Sequence, residues 1–370
     1  MNIALISDAL TVGGAERQIL LSAVELGRLG HTVKLIIYHP YVEFQDFIRR
    51  YNIDLVEIKS RGLSRLSRIR ALAKYLRENN FDVVHAFKGC APISGSLAAK
   101  WAGIESVFGG FRGIYNEGIV LRLAHNLADR LLTGWIVNSR AVADSMVTVL
   151  GIDRAKIFVV HNGISQDTFR SDLSKSAAKR RIGLPEDRLT VTIIARLDPV
   201  KNHRLFLRIA SMLLRRQSDI MFLIAGDGPL RSDLEDQAKS LGIYDQVLFL
   251  GNRSDIPDVL AATDVSVLTS DSEGFPNVLI ESMSVGVPVV STNYPSINEL
   301  IVDGEHGFIT SRNDAATVAA KVAQLLDDAD LRAHMGQNGR KMVQERFSAE
   351  VMAKNLVAVY EHARDESARY

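Results

Sequence analysis

The stretch Val265-Ser266-Val267-Leu268-Thr269-Ser270-Asp271-Ser272-Glu273-Gly274-Phe275-Pro276-Asn277-Val278-Leu279-Ile280-Glu281 sets the pattern of the chain. Residues 265–269 form a short apolar run of the kind that makes a buried strand. A polar loop follows, punctuated by Gly274 and Pro276. A helix is expected from about Asn277, where the free amides of a helix N-terminus favour an anion. Glu273 and Glu281 stand eight residues apart across this loop. Carboxylates accept hydrogen bonds from sugar hydroxyls, and this spacing would let both reach one bound molecule. Two arbitrary glutamates would be solvated, but Glu281 lies within the apolar run Val278-Leu279-Ile280…Met283.

The same strand–loop–helix unit recurs on both sides. Short apolar runs occur at 3–7, 32–38, 54–58, 82–86, 106–108, 134–137 and 157–160, and again at 190–194, 221–225, 247–250, 265–269, 287–290 and 307–310. Most are separated by helix-like segments, for example 16–29, 66–79, 203–216 and 229–241. Such alternation reads as βαβ units on parallel sheets. At 370 residues the chain exceeds one ordinary core. The join is expected at about 162–188, where Asn162-Gly163 signals a turn and a polar stretch without strand pattern runs on past Pro185. The expected fold class is α/β, with two Rossmann-like doubly wound domains, 1–165 and 166–348, facing each other across a cleft. In such sheets ligands bind beyond the carboxyl ends of the strands.

Composition narrows the function classes. Hydrophobic residues make up 47% and charged residues 24%, which excludes a largely disordered chain. The net charge of +1 hides an asymmetry. Residues 1–165 carry 20 Lys and Arg against 14 Asp and Glu, a net of +6; residues 166–370 carry 24 against 29, a net of −5. The chain as a whole lacks the basic character that nucleic acid would call for. The single cysteine, Cys90, excludes an internal disulfide or a cysteine-based metal site and fits a reducing compartment. No signal-peptide pattern opens the sequence, and no apolar run approaches the ~18 residues of a membrane span. A cytoplasmic protein is expected.

Other loops carry candidate chemistry. Gly13-Gly14 before a helix suits either phosphate approach or a plain tight turn; it is not a dinucleotide fingerprint. Arg196 and Lys201 follow the run at 190–194 over a Pro-containing turn, and a guanidinium with an ammonium suits a phosphate as well as solvent. Gly226-Asp227-Gly228-Pro229 reads as turn geometry or as a second close approach. Asp328-Ala329-Asp330 is read as surface rather than metal-binding.

Taken in order, Arg196…Lys201, Gly226-Asp227-Gly228-Pro229 and the Glu273/Glu281 pair resemble the signature set of the retaining nucleotide-sugar glycosyltransferases of family 4, with the GT-B fold. Gly13-Gly14-Ala15-Glu16-Arg17 and His161-Asn162-Gly163-Ile164 also match that family, so the resemblance covers nearly the whole chain. It implies that Arg196 and Lys201 bind the donor diphosphate, Glu273 the hydroxyls of the transferred sugar, and Glu281 the ribose. Glu273, Arg196 and Lys201 are the residues expected to carry catalysis. The amides of Gly274, Phe275, Pro276 (its ring nitrogen excepted), Asn277 and Val278 would lie along phosphate and sugar. Gly13, Gly14 and Gly226 would approach the diphosphate, and Arg253 falls where the base docks. With Arg and Lys opposite the leaving diphosphate, no metal or other cofactor is expected. The resemblance also implies that a terminal helix, about 349–370, returns to the first domain.

One departure stands out. Many relatives carry His in the loop after the run at 106–108, whereas here the loop reads Gly109-Gly110-Phe111-Arg112-Gly113-Ile114-Tyr115. Arg112, Tyr115 and the strand-end His85 are the acceptor-side candidates, and no general base is assigned. Residues 61–77 hold six cations and no acid, with Leu66, Ile69, Leu72, Ala73 and Leu76 at helical spacing. That segment suits an anionic membrane surface or a core-packed helix with a solvated basic face. The leading expectation is a retaining transferase moving sugar from a UDP-sugar to a glycan or lipid-linked acceptor in surface polysaccharide synthesis. GDP-mannose as donor, a nucleotide-sugar epimerase of the same fold and a non-catalytic sugar-nucleotide-binding protein are the alternatives.

Overall fold

A computed structural model describes residues 1–11, 13–39, 42–58, 64–87, 91–113, 119–167 and 169–367. The chain divides into two compact units, 1–163 with 349–370, and 164–348. In the first, strands β1 (Asn2–Ser7), β2 (Thr32–Ile37), β3 (Asp54–Glu57), β4 (Val83–Ala86), β5 (Ser106–Phe111), β6 (Gly134–Val137) and β7 (Ile157–Val159) form one parallel sheet, ordered β3-β2-β1-β4-β5-β6-β7. Alternate side chains face opposite layers. Ile3 and Leu5 join Leu35, Ile37 and Phe108 on one side, while Ala4 and Ile6 join Ile36, Val84 and Val107 on the other. A sheet buried on both faces explains why its strands read as continuous apolar runs.

The second unit repeats the plan with β8 (Leu189–Ile194), β9 (Ile220–Ala225), β10 (Val247–Gly251), β11 (Val265–Leu268), β12 (Val289–Thr292) and β13 (Gly307–Thr310), ordered β10-β9-β8-β11-β12-β13. In each sheet the chain winds to one side, then crosses back and winds to the other. The reversal lies between β1 and β4 in the first unit and between β8 and β11 in the second. In doubly wound sheets such a reversal point, at the carboxyl ends of the strands, is where ligands bind.

The polar stretch at the join contains a helix, Lys175–Arg181, that its lack of apolar periodicity concealed. Ser174 caps it by accepting from Ala177 N at 3.3 Å. Lys179 is buried with its ammonium donating to the carbonyls of Glu186 and Arg188. The terminal helix Ala349–Ser367 belongs to the first unit, where Met352, Leu356 and Tyr360 enter the layer holding Phe108.

β5 runs on through Gly109, Gly110 and Phe111, which the sequence pattern had placed in a loop. Close packing explains both glycines. A Cβ on Gly110 would lie 2.3 Å from the Phe87 carbonyl oxygen, and one on Gly109 would lie 2.8 Å from the Trp135 ring. The basic helix spans Arg65–Glu78, with 61–63 outside the described residues. Its apolar face is packed inward: Leu72, Ala73 and Leu76 are buried, and Leu66 is exposed. Among the described residues no helix is long and apolar enough to cross a membrane.

Candidate functional site

The reversal point of the second sheet brings together two residues that the sequence separates by 72 positions. Lys201 lies just beyond β8 and Glu273 just beyond β11, and Nζ meets Oε1 at 2.6 Å. Both side chains are largely shielded, 24% and 12% exposed. Their loops are tied to one another. Thr269 Oγ1 donates to the carbonyls of Lys201 (2.9 Å) and Asn202 (3.0 Å), and Asp271 N donates to the Val200 carbonyl at 2.9 Å. Glu273 is held at both ends: Ser270 Oγ donates to Oε1 at 2.7 Å, and Ser296 Oγ to its carbonyl at 3.0 Å. Asn202 takes the left-handed conformation (φ 50°), which Asn tolerates, and its side chain caps the helix His203–Leu214.

Arg196 leaves β8 on the same loop and is mostly exposed, with Nε 3.2 Å from Asp198 Oδ2. The turn after β9 positions this loop. Gly226 has φ +141°, and a Cβ there would lie 2.0 Å from the Ala195 carbonyl oxygen; a Cβ on Gly228 would lie 2.8 Å from that of Leu197. Leu197 N donates to the Asp227 carbonyl at 3.0 Å. The two glycines are thus required by backbone against backbone, whether or not a ligand is bound.

The loop after β11 is anchored by Phe275, buried against Phe347 with ring centroids 5.8 Å apart. Phe275 therefore offers its backbone rather than its ring to a ligand. Pro276 precedes the helix Asn277–Ser284, whose first turn closes with Leu279 N donating to the Pro276 carbonyl at 3.1 Å. Val278 and Glu281 are half-buried on that helix. Arg253, beyond β10, is held by Asp255 through two contacts, 2.7 and 2.5 Å. This pairing raises the arginine's pKa and lowers that of the aspartate.

His203 and Tyr294 were not evident from the sequence. His203 is buried beside Lys201, and burial, then the lysine charge, pushes its pKa down to about 4. Tyr294 is buried, its phenol raised well above its ordinary value first by burial and then by Glu273. Ser270 and Ser296, which fix Glu273, carry no signal in a single sequence beyond their place at strand ends.

In the first unit, Gly13 is extended and precedes the helix Gly14–Arg28. A Cβ on Gly13 would lie 2.5 Å from Glu16 Oε2, so a carboxylate already lies over this turn. Of the acceptor-side candidates, Tyr115 lies outside the described residues, as does Cys90. His85 is inside β4 rather than at a free strand end. It is fully buried, Nδ1 lies 2.8 Å from Tyr360 Oη, and burial, then the Arg112 charge, holds its pKa well below the ordinary value. It serves to pin the terminal helix and is corrected from acceptor contact to core. Arg112 follows β5 directly. Asp328 caps the helix Ala329–Arg346 from an exposed position. Among the described residues no group of three or more His, Cys, Asp or Glu side chains is placed to hold a metal ion.

Two family models match the chain. Glycosyltransferase Family 4 matches residues 12–168, and Glycosyl transferases group 1 matches residues 174–342. Over 289 residues, 75% of this chain and 74% of the relative, it is 29% identical to the UDP-Gal:alpha-D-GlcNAc-diphosphoundecaprenol alpha-1,3-galactosyltransferase of Escherichia coli. It is 31% identical to the N-acetyl-alpha-D-glucosaminyl L-malate synthase of Bacillus anthracis over 55% of this chain, spanning only 53% of that protein. The crystal structure of Anabaena HepE in complex with UDP superposes with a TM-score of 0.86 at 22% identity, covering 98% of this chain and all of the other. Two doubly wound parallel sheets, matched in turn by the two models and together by one fold, place this chain in family 4 of the glycosyltransferases, with the GT-B fold.

Proposed function

We propose that this glycosyltransferase moves a sugar from a UDP-sugar, with retention at the anomeric carbon, to a glycan or lipid-linked acceptor in surface polysaccharide or glycoconjugate synthesis. The observation that carries the reading is the 2.6 Å Lys201–Glu273 pair at the sheet's reversal point, with Arg196 exposed on the same loop. Breaking a glycosyl–phosphate bond places negative charge on the leaving diphosphate. Arg196 and Lys201, fixed beside it, stabilise the transition state more than the ground state and supply that charge without a metal ion. Glu273 accepts hydrogen bonds from hydroxyls of the transferred sugar, and Glu281 from the ribose. The Gly274–Val278 backbone lines the donor phosphates, Gly226 keeps the Arg196 loop in place, and the Arg253 segment receives the base. The preference for UDP is supported by the UDP-galactose donor in the name of the Escherichia coli relative and by the UDP bound to HepE.

A panel of UDP- and GDP-sugars, with nucleotide release followed with and without acceptor, tests the reading. UDP release that rises on adding acceptor supports it. GDP release from GDP-mannose moves the donor assignment. An isomerised sugar without acceptor indicates an epimerase, and binding without turnover a retired site. The helix Arg65–Glu78 offers Arg70 and Lys74 to solvent while its apolar face is buried in the core. Peripheral contact with an anionic membrane would therefore be electrostatic rather than inserted. Sedimentation with phosphatidylglycerol vesicles that falls steeply with salt supports it, and no binding at low salt removes it.

A further inference from the structure

Among the described residues of the first unit, Arg112 is a cation with no carboxylate paired to it. Arg112 follows β5, and its surroundings come from the carboxyl ends of the neighbouring strands: Phe87 after β4, Asn138 after β6, and Asn162 beyond β7. One of its five donors is engaged, Nη1 to Asn162 Oδ1 at 2.5 Å. The guanidinium carbon lies 4.7 Å above the Phe87 ring, whose other near neighbour is the His85 ring, stacked at 4.1 Å. Asn138 Nδ2 donates to the Arg112 carbonyl at 3.4 Å. Nε is sealed from solvent without a partner, and so is the Nε2 of His85. No carboxylate of the described residues forms an ion pair with Arg112, and its histidine neighbour is neutral. Burial lowers its pKa only to about 10, so it remains a cation at neutral pH.

A desolvated guanidinium with one engaged donor is costly unless an anion arrives. Arg253 beyond β10, also partly screened, has Asp255 as its counter-charge, and Arg112 has no such partner among the described residues. The residue is not wholly enclosed, which leaves a route for a ligand. A fork of N–H groups at the ends of parallel strands matches an oxyanion, and its flat face is already fixed on Phe87.

We propose that Arg112 receives an oxyanion of the acceptor, a phosphoryl or carboxylate group, at the carboxyl ends of β4 to β7. The proposal rests on the glycosyltransferase reading for the word acceptor; the anion site itself does not. The site adds a requirement that the acceptor carry an oxyanion.

The test compares the melting of the wild type with that of Arg112→Met in sodium phosphate, sodium acetate and sodium chloride at equal ionic strength. Phosphate or acetate, at tenfold over half-saturation, is expected to raise the wild-type Tm by about 3 °C or more over chloride. Arg112→Met should lose that rise, and Arg112→Lys should keep part of it. Response to phosphate alone assigns a phosphoryl acceptor, and to acetate alone a carboxylate. Other anion sites are present in both proteins, so the difference belongs to Arg112. Because the uncompensated charge is costly, Arg112→Met in chloride should melt within about 3 °C of wild type. A fall of 10 °C or more, or failure to fold, marks a structural arginine and overturns the proposal. So does a wild type that responds to neither anion, or a response that survives Arg112→Met. Titration with UDP should give the same Kd within twofold in both proteins; a tenfold weakening would give the anion to the donor and also overturn the assignment. None of these readouts uses turnover, so their failure leaves the transferase reading untouched.

Discussion

Replacing Glu273 by Gln keeps the shape of the side chain and removes its charge, and the structure lets two consequences be separated. Gln retains an oxygen that accepts from Lys201 and Ser270, now at 2.6 and 2.7 Å. The charge-assisted part of the contact disappears. A hydrogen bond to a charged partner contributes about 1.5–3 kcal/mol, so losing only its ionic share should cost about 1–2 kcal/mol. In a unit spanning 164–348 this lowers Tm by about 2–8 °C. If Glu273 also holds sugar hydroxyls while charge develops at the anomeric carbon, kcat/KM should fall about 100- to 1000-fold, as when a positioned transition-state contact is removed. The assay is nucleotide release with saturating acceptor, measured well below the variant's Tm. A Tm loss in this range with kcat/KM within threefold of wild type would reduce Glu273 to a structural partner of Lys201 and refute the reasoning.

Other perturbations have signs that follow from local geometry. Gly226→Ala should be severely destabilising, because it forces a Cβ to within 2.0 Å of the Ala195 carbonyl at φ +141°, and calorimetry should show the second unit unfolding early. Tyr360→Phe leaves the buried Nδ1 of His85 without its 2.8 Å partner, at about 1–3 kcal/mol, and should speed proteolysis at the terminal helix. His203 is depressed to about 4 by burial, so it binds fewer protons folded than unfolded. Its contribution is fully present above its ordinary pKa of 6.5 and is lost as pH falls through the interval down to 4. Going from pH 7.5 to 5.5 should therefore remove about 1 kcal/mol, and His203→Leu should flatten the Tm–pH curve of the second unit correspondingly.

Strand positions were legible because a parallel sheet covered on both faces needs continuous apolar runs, and 134–137 and 307–310 lie where β6 and β13 form. The end of β5 was not. Gly109 and Gly110 look like turn residues until one sees that Phe87 and Trp135 lie where a Cβ would be. The helix Lys175–Arg181 escaped because Ala178 and the aliphatic stem of Lys179 make its main buried contact. At the candidate site, sequence spacing singled out Lys201 and Glu273 but could not show that they touch, since that depends on which strands lie beside one another. His85 misled for the opposite reason. A histidine near a strand end reads as functional, and only the terminal helix, 275 residues away, shows it to be a core partner. Nothing in the spacing announces that Arg112 lacks a counter-charge; that is a property of the assembled strand ends.

The central claim is that the reversal point of the second sheet holds the donor. A crystal structure with a non-hydrolysable nucleotide-sugar tests it most directly. Both phosphates should lie within hydrogen-bond distance of Arg196 and Lys201, with the hydroxyls of the sugar donating to Glu273. A donor seated away from β8 and β11, with neither arginine nor lysine on its phosphates, would contradict it.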